Sequence, residues 1–393
     1  MTSPFYIEID YKQKNHHNER ICGDVVLIKK VIDENRIIII LSDGMGHGVK
    51  ANVLATLTSS MALNFTKEHK DNNKIAEIIT KTLPVCSQRK ISYSTFTIID
   101  IEKNGKTHIL EYDNPETIII RNNKLFAPEW KSIILKKENC SIELRSCSFY
   151  SEKEDRIIFG SDGITQSGLG SDKYPFGWGI DNFRNYIFDL LKNKPNISAN
   201  NLASKIINIS YKNDNYEAKD DISCVSLYFR KPRKLLICTG PPYLKEKDIE
   251  LAENVRNFDG KKIISGATTS DIIAREFNKD IEDTFEFTDK DLPPVSYMEG
   301  IDLITEGILT LSKVANILQD YDYNYVPGKG AADQIIRLIN ESDEIHFIIG
   351  TRINIAHQDP NLPIELEIRR TVVRKIAEIL EKKLLKEVKM KFI

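Results

Sequence analysis

The chain has 393 residues, 41% hydrophobic and 28% charged, with Lys+Arg 55 against Asp+Glu 57 and a formal net charge of -2. That length exceeds one typical core and favours two domains of an ordinary globular protein, while the balanced charge argues against any global attraction to nucleic acid or anionic lipid. Six scattered cysteines without a CxxC pair, an N-terminus without a basic-then-apolar leader, and apolar runs of only strand length argue against a disulfide framework, a zinc site, a secretory signal and a membrane span, leaving the cytoplasm as the expected location.

In chain order, β-branched runs recur at "DVVLIKKV", "RIIIIL", "STFTIIDI", "THILEY", "ETIIIRNN", "DRIIFG" and "ISCVSLYF", each bounded by turn residues. The pair "STFTIIDIEKNGKTHILEY" predicts a hairpin closed by Asn104-Gly105, with both turn residues at positive φ. Between the strands, "KANVLATLTSSMALNF" has helical spacing, with Val53, Leu57 and Met61 on the face expected to be core, and "NLASKIINISY" is a second helix. The texture changes after "YFRKPRK". From Leu235 onward short apolar runs alternate with amphipathic helices, which predicts an α/β domain with a mainly parallel sheet. The expected domains are therefore 1–231 and 235–393. The final helix is drawn through "IELEIRRTVVRKIAEILEKKLLKEV", its stripe of Val372, Ile376, Ile379, Leu380, Leu384 and Val388 packing on its own domain or, as the minority alternative, forming a homodimer seam.

Four acidic positions share one context at the ends of apolar strands. They are Asp24 in "ICGDVVLI", Asp43 in "IIIILSDGMGHG", Asp162 in "RIIFGSDGITQSG", and the pair Asp220-Asp221 in "YEAKDDISCVSLYF". A lone "DG" is usually a turn, but converging carboxylates repel one another unless a cation sits among them. A set of hard oxygen ligands with little imidazole or thiol suits magnesium or manganese, and Gly44 and Gly46 are expected to let the backbone approach the ion and offer a carbonyl.

The ordered set "GD", "SDGMGHG", "SDG" and "DD", spread over roughly residues 20–230, resembles the metal-dependent protein phosphatases (PPM type, protein phosphatase 2C-like) and, within them, the bacterial group of sporulation stage II protein E. The resemblance implies an α+β fold, a two-layer antiparallel β-sandwich flanked by helices, with two manganese or magnesium ions between the sheet edges. It implies that Asp43 bridges both metals, that the Gly44 carbonyl binds one, that Asp162 and Asp220 hold the other, and that Asp24 acts directly or through a water. Asp221 is expected to orient Asp220 or cap the turn. Its implied activity is hydrolysis of phosphoserine or phosphothreonine on a partner protein by activated water. His47 is either a catalytic proton donor or a cap of the helix that follows it. The segment "ITQSGLGSDKYPFGWGIDNF", with Phe176 and Trp178, reads as a substrate-selecting flap or as an anchored surface loop.

In the second domain "CTGPPY", "SGATTSDII" and "TEGILTLSK" all follow expected strands, at the carboxyl edge where open α/β sheets bind ligands. Gly240, Gly266, Thr268, Thr269 and Glu306 are the candidate ligand contacts, with successive hydroxyls making an anion cradle for a small metabolite or nucleotide; helix capping is the plainer reading of the same hydroxyls. No GxxxxGK[ST] loop is present. A regulated phosphatase is thus the leading expectation. The alternative is a catalytically inactive, phosphatase-like scaffold that binds a phosphoprotein and a small anion.

Overall fold

The computed structural model describes residues 5–69, 74–75, 77–78, 94–137, 140–284, 289, 292–321, 325–352, 363–384 and 386–393. Cys86 lies outside them. The chain divides into two compact units, Met1–Lys231 and Pro232–Ile393.

The first unit is α+β with two antiparallel sheets. Its strands are β1 (Tyr6–Lys14), β2 (Asp24–Val31), β3 (Arg36–Gly44), β4 (Ser94–Ile101), β5 (Lys106–Tyr112), β6 (Ile118–Arg121), β7 (Lys124–Leu125), β8 (Lys131–Lys137), β9 (Cys140–Tyr150), β10 (Arg156–Gly160) and β11 (Ile222–Arg230). One sheet runs β1-β11-β10-β6-β7, the other β2-β3-β4-β5-β9-β8. The unbroken isoleucine run of β3 follows from burial on both faces. Ile39 and Leu41 join a core with Phe159, Val225, Leu227 and Phe229 of the other sheet. Ile38 and Ile40 pack oppositely, against Phe96, Ile98, Leu110 and Ala62 of the helix Gly48–Lys67.

Two expectations change, and three strands are added. The buried face of that helix is its small one, Ala51, Ala55, Thr58, Ser59 and Ala62, whereas Val53 and Leu57 are 60% and 45% exposed. Met61 is half-buried and packs on the core, and backbone that approaches a sheet this closely leaves room only for small side chains on the seated face. The β4–β5 hairpin forms, but only Gly105 has positive φ (86°); the Glu102 carbonyl accepts from Gly105 N–H and Glu102 N–H donates to the Lys106 carbonyl, a longer turn than an Asn-Gly pair at two positive angles. Strands β1, β8 and β9 carry no clear strand signal because their sequences mix charged with apolar residues.

The second unit holds β12 (Lys234–Thr239), β13 (Lys261–Ser265), β14 (Glu282–Asp283), β15 (Ser296–Met298), β16 (Ile301–Thr305), β17 (Glu344–Ile349) and β18 (Glu387–Phe392). They form one sheet, β14-β15-β16-β13-β12-β17-β18. The β12–β13, β12–β17, β13–β16 and β17–β18 pairs are parallel, and the two short strands at one edge are antiparallel. Leu235, Ile237, Ile345 and Phe347 face the helices Ile308–Gln319, Ala331–Asn340 and Pro363–Lys382; Leu236, Cys238 and Ile264 face Asp248–Arg256 and Ala267–Phe277. The last helix ends at Lys382. Val388, drawn above onto its stripe, belongs to β18, where alternation of apolar residues with lysine suits a half-covered strand. Among the described residues no helix is long and apolar enough to cross a membrane.

Candidate metal centre

Strand pairing brings the first two aspartates together. In the β2–β3 register Asp24 stands opposite Asp43. Asp24 is 2% exposed; its Oδ2 accepts from Ser223 Oγ of β11 at 2.6 Å, while its Oδ1 is buried without a partner. Burial above all, with the charges of Asp221 and Asp220, pushes its carboxyl up to about 8, against the pull of the serine hydrogen bonds. Asp43 is raised well above the carboxylate range by burial and then by Asp24, Asp162 and Asp220.

Asp162 opens the short helix Asp162–Thr165 directly beyond β10, and its carboxyl faces that of Asp43 within proton-sharing reach. Its Oδ1 is buried without a partner and its Oδ2 accepts from Gln166 Nε2. Asp220 is pushed up to about 6 by burial and by Asp162. Asp221 is the more buried of its pair at 2% exposure; its Oδ1 accepts from the His16 N–H at 2.9 Å, and its Oδ2 has no partner. Its own N–H donates to Asp220 Oδ1, so the orientation runs from Asp221 to Asp220 through the backbone.

Gly44 also has a packing reason. A Cβ there would lie 2.0 Å from the Ala51 carbonyl oxygen, so the glycine is required by the close seating of the helix on β3; Gly46 needs its freedom for φ 96°.

His47 occupies the N-cap position of that helix, but its side chain makes no cap hydrogen bond. Nδ1 meets Glu19 Oε1 at 2.7 Å, and the ring stacks on His16 at 4.3 Å between centroids. The capping reading is therefore corrected. Burial, followed by Asp24 and Asp221, pushes the Cys22 thiol far up, as for a cysteine that packs rather than reacts. In the proposed flap Trp178 is buried against Phe183 and Tyr186, whereas Phe176 is 92% exposed. That segment is core-anchored at Trp178. Three participants carried no sequence signal of their own: Asp113, whose charge acts on Asp162, and Glu19 and His16, which hold His47. "YDNP" around Asp113 reads as a plain turn.

Among the described residues no three His, Cys, Asp or Glu side chains gather around one point closely enough to hold an ion. The aspartates' donor chemistry nevertheless fits a hard divalent cation: all oxygen, all anionic, with buried orphan atoms on Asp24, Asp162 and Asp221.

The second-unit candidates lie on three adjacent strands at one edge. Gly240 follows β12, Gly266 precedes the helix Ala267–Phe277, and Glu306 follows β16. Gly266 N–H donates to the Thr305 carbonyl and Ser265 Oγ to the Glu306 and Gly307 carbonyls, so these two turns are joined. Gly240 instead lies beside Arg369 and Gly350. Thr268 is exposed, Thr269 is 1% exposed, and Ser270 Oγ donates back to the Ala267 carbonyl. The run of hydroxyls therefore presents no open cradle.

No curated protein matches the chain. Solved structures similar to it include the phosphatase domain of the cell-fate determinant SpoIIE from Bacillus subtilis (14% identity, TM-score 0.44, covering 59% of this chain and 95% of that one). A longer piece of the same protein, with a fragment of its regulatory domain, gives 14% identity and TM-score 0.45 over 58% of this chain and 65% of that one. RsbX in complex with magnesium gives 19% identity and TM-score 0.39 over 57% and 95%. The family model described as stage II sporulation protein E (SpoIIE) matches residues 33–230. By that match the chain belongs to the stage II sporulation protein E family, a family of PP2C-type phosphatase domains.

Proposed function

We propose that the protein is a metal-dependent phosphatase of phosphoserine and phosphothreonine on a partner protein. The observation that supports this best is the crowding of Asp24, Asp43, Asp162 and Asp220, which costs stability without a cation and becomes useful with two. The core shared by the two antiparallel sheets favours a two-layer sandwich with these carboxylates at the strand ends.

On this reading Asp43, the Gly44 carbonyl, Asp162 and Asp220 hold two manganese or magnesium ions, with Asp24 ligating directly or through a water. Such ions, when bound, supply acidified water and offset charge on a phosphoryl group. Ser223 keeps the Asp24 carboxylate turned to the site, and Asp221 holds Asp220 in place. Glu19 holds His47 through Nδ1, which leaves Nε2 as the ring nitrogen for proton transfer to a leaving serine oxygen. The second unit is assigned control of the first through a small ligand at its Gly240, Gly266 and Glu306 edge, outside the closed run of hydroxyls.

The test is manganese-dependent hydrolysis of p-nitrophenyl phosphate and of a phosphothreonine peptide by the full chain, with Asp43→Asn as control. Turnover lost in the control supports the reading. No turnover by folded protein in excess manganese overturns it in favour of the inactive scaffold. Removing residues 232–393 without any change in turnover or metal affinity would overturn the regulatory assignment alone.

A further inference from the structure

Among the described residues β18 is the outermost strand of the second unit's sheet, paired on one side only, with β17. Glu387 N–H donates to the Asp343 carbonyl and Ile393 N–H to the Ile349 carbonyl. Strand periodicity therefore directs the odd-numbered peptide groups inward and those of Val388, Met390 and Phe392 to the open edge. Met390 and Phe392 are 45% and 42% exposed, and no proline or bulge blunts the strand. Such an edge is a template for another strand.

We propose that the occupant is a second copy of this chain, its β18 antiparallel to the first about a dyad at Lys389. Two constraints place the dyad on a residue, and Lys389 and Met390 are the two centres that oppose five of the strand's 6 residues to strand residues of the second copy. The outward peptide groups must pair with one another, which Val388 against Met390 of the second copy satisfies. Faces must also match across a dyad perpendicular to the sheet, which requires odd residues to meet odd ones. The dyad at Lys389 then sets Glu387 against Lys391 of the second copy, twice. Centring on Met390 would set Lys389 against Lys391 twice, and like charges directly opposite are unfavourable. The one lysine pair at the dyad is eased within each chain, because Lys389 Nζ lies 3.3 Å from Glu344 and 2.9 Å from Glu387. On the other face Val388 and Met390 form two apolar pairs, continuous with the core that Val388 already joins.

Sedimentation equilibrium of the full chain should show a monomer–dimer system. Lys391→Glu places glutamate opposite glutamate twice and should raise Kd about tenfold. Adding Glu387→Lys should restore most of the affinity, a rescue that misfolding would not give. Lys389→Cys should form an interchain disulfide on mild oxidation, because a non-hydrogen-bonded pair holds Cα atoms roughly 4.5 Å apart; Lys391→Cys and the parent protein should not. A monomer up to the solubility limit, or a dimer indifferent to Lys391→Glu and silent in the Lys389→Cys crosslink, overturns the proposal.

Discussion

Asp24 and Asp43 are directly opposed cross-strand partners, an acid facing an acid between β2 and β3. Like charges so placed weaken a strand pair, and here the larger cost is the burial of Asp24. The pair is thus a local sacrifice of stability, of the kind found at functional sites.

Replacing Asp43 by asparagine should relieve that repulsion. The metal-free variant should melt higher than the parent, while manganese affinity by titration calorimetry falls by at least the roughly 10- to 100-fold that losing even an outer partner of a metal ligand costs. Unchanged affinity would remove Asp43 from the site.

Asp24 yields a pH dependence of defined sign. Its folded value of about 8 exceeds the ordinary 3.8, so its contribution to stability is fully present below 3.8 and is lost as pH rises through about 8. Asp220, raised to about 6, acts in the same direction. With chelator present, urea midpoints should fall between pH 4 and 8, and Asp24→Asn should flatten the decline. A midpoint that rises over this interval would contradict the burial argument.

His47→Ala should separate substrates by leaving group. A phosphothreonine peptide needs its alkoxide protonated, so kcat should fall about 100-fold or more, whereas p-nitrophenolate leaves without help and should lose less than about tenfold. Glu19→Gln should give a milder form of the same split, since it holds Nδ1. Equal losses on both substrates would point to a structural role.

The helix Gly48–Lys67 offers a stability contrast. Gly44→Ala drives a methyl against the Ala51 carbonyl and should cost about 1–3 kcal/mol or more in thermal denaturation. Val53→Ser and Leu57→Ser, on the exposed face, should stay within about 0.5 kcal/mol.

Elements with a strong local pattern were legible. β3 and β11 are apolar runs of strand length, and the β4–β5 turn is marked by its glycine. The helix after Gly48 was legible as a helix but not in its orientation, because Ala/Ser/Thr and Val/Leu/Met stripes share one period and only the closeness of β3 selects between them. The β18 strand was absorbed into a helix because Leu384 and Val388 happen to keep helical spacing.

What the sequence by itself determined is the inventory: aspartates at the ends of apolar strands, beside glycines, in the order that marks the family. Tertiary structure alone decided which of them meet. It set Asp24 against Asp43, turned Asp43 toward Asp162, left an Asp221 oxygen buried without a partner, and brought Glu19 to His47. The reason is physical: charge interaction and desolvation depend on distance and burial in space, and chain order carries neither.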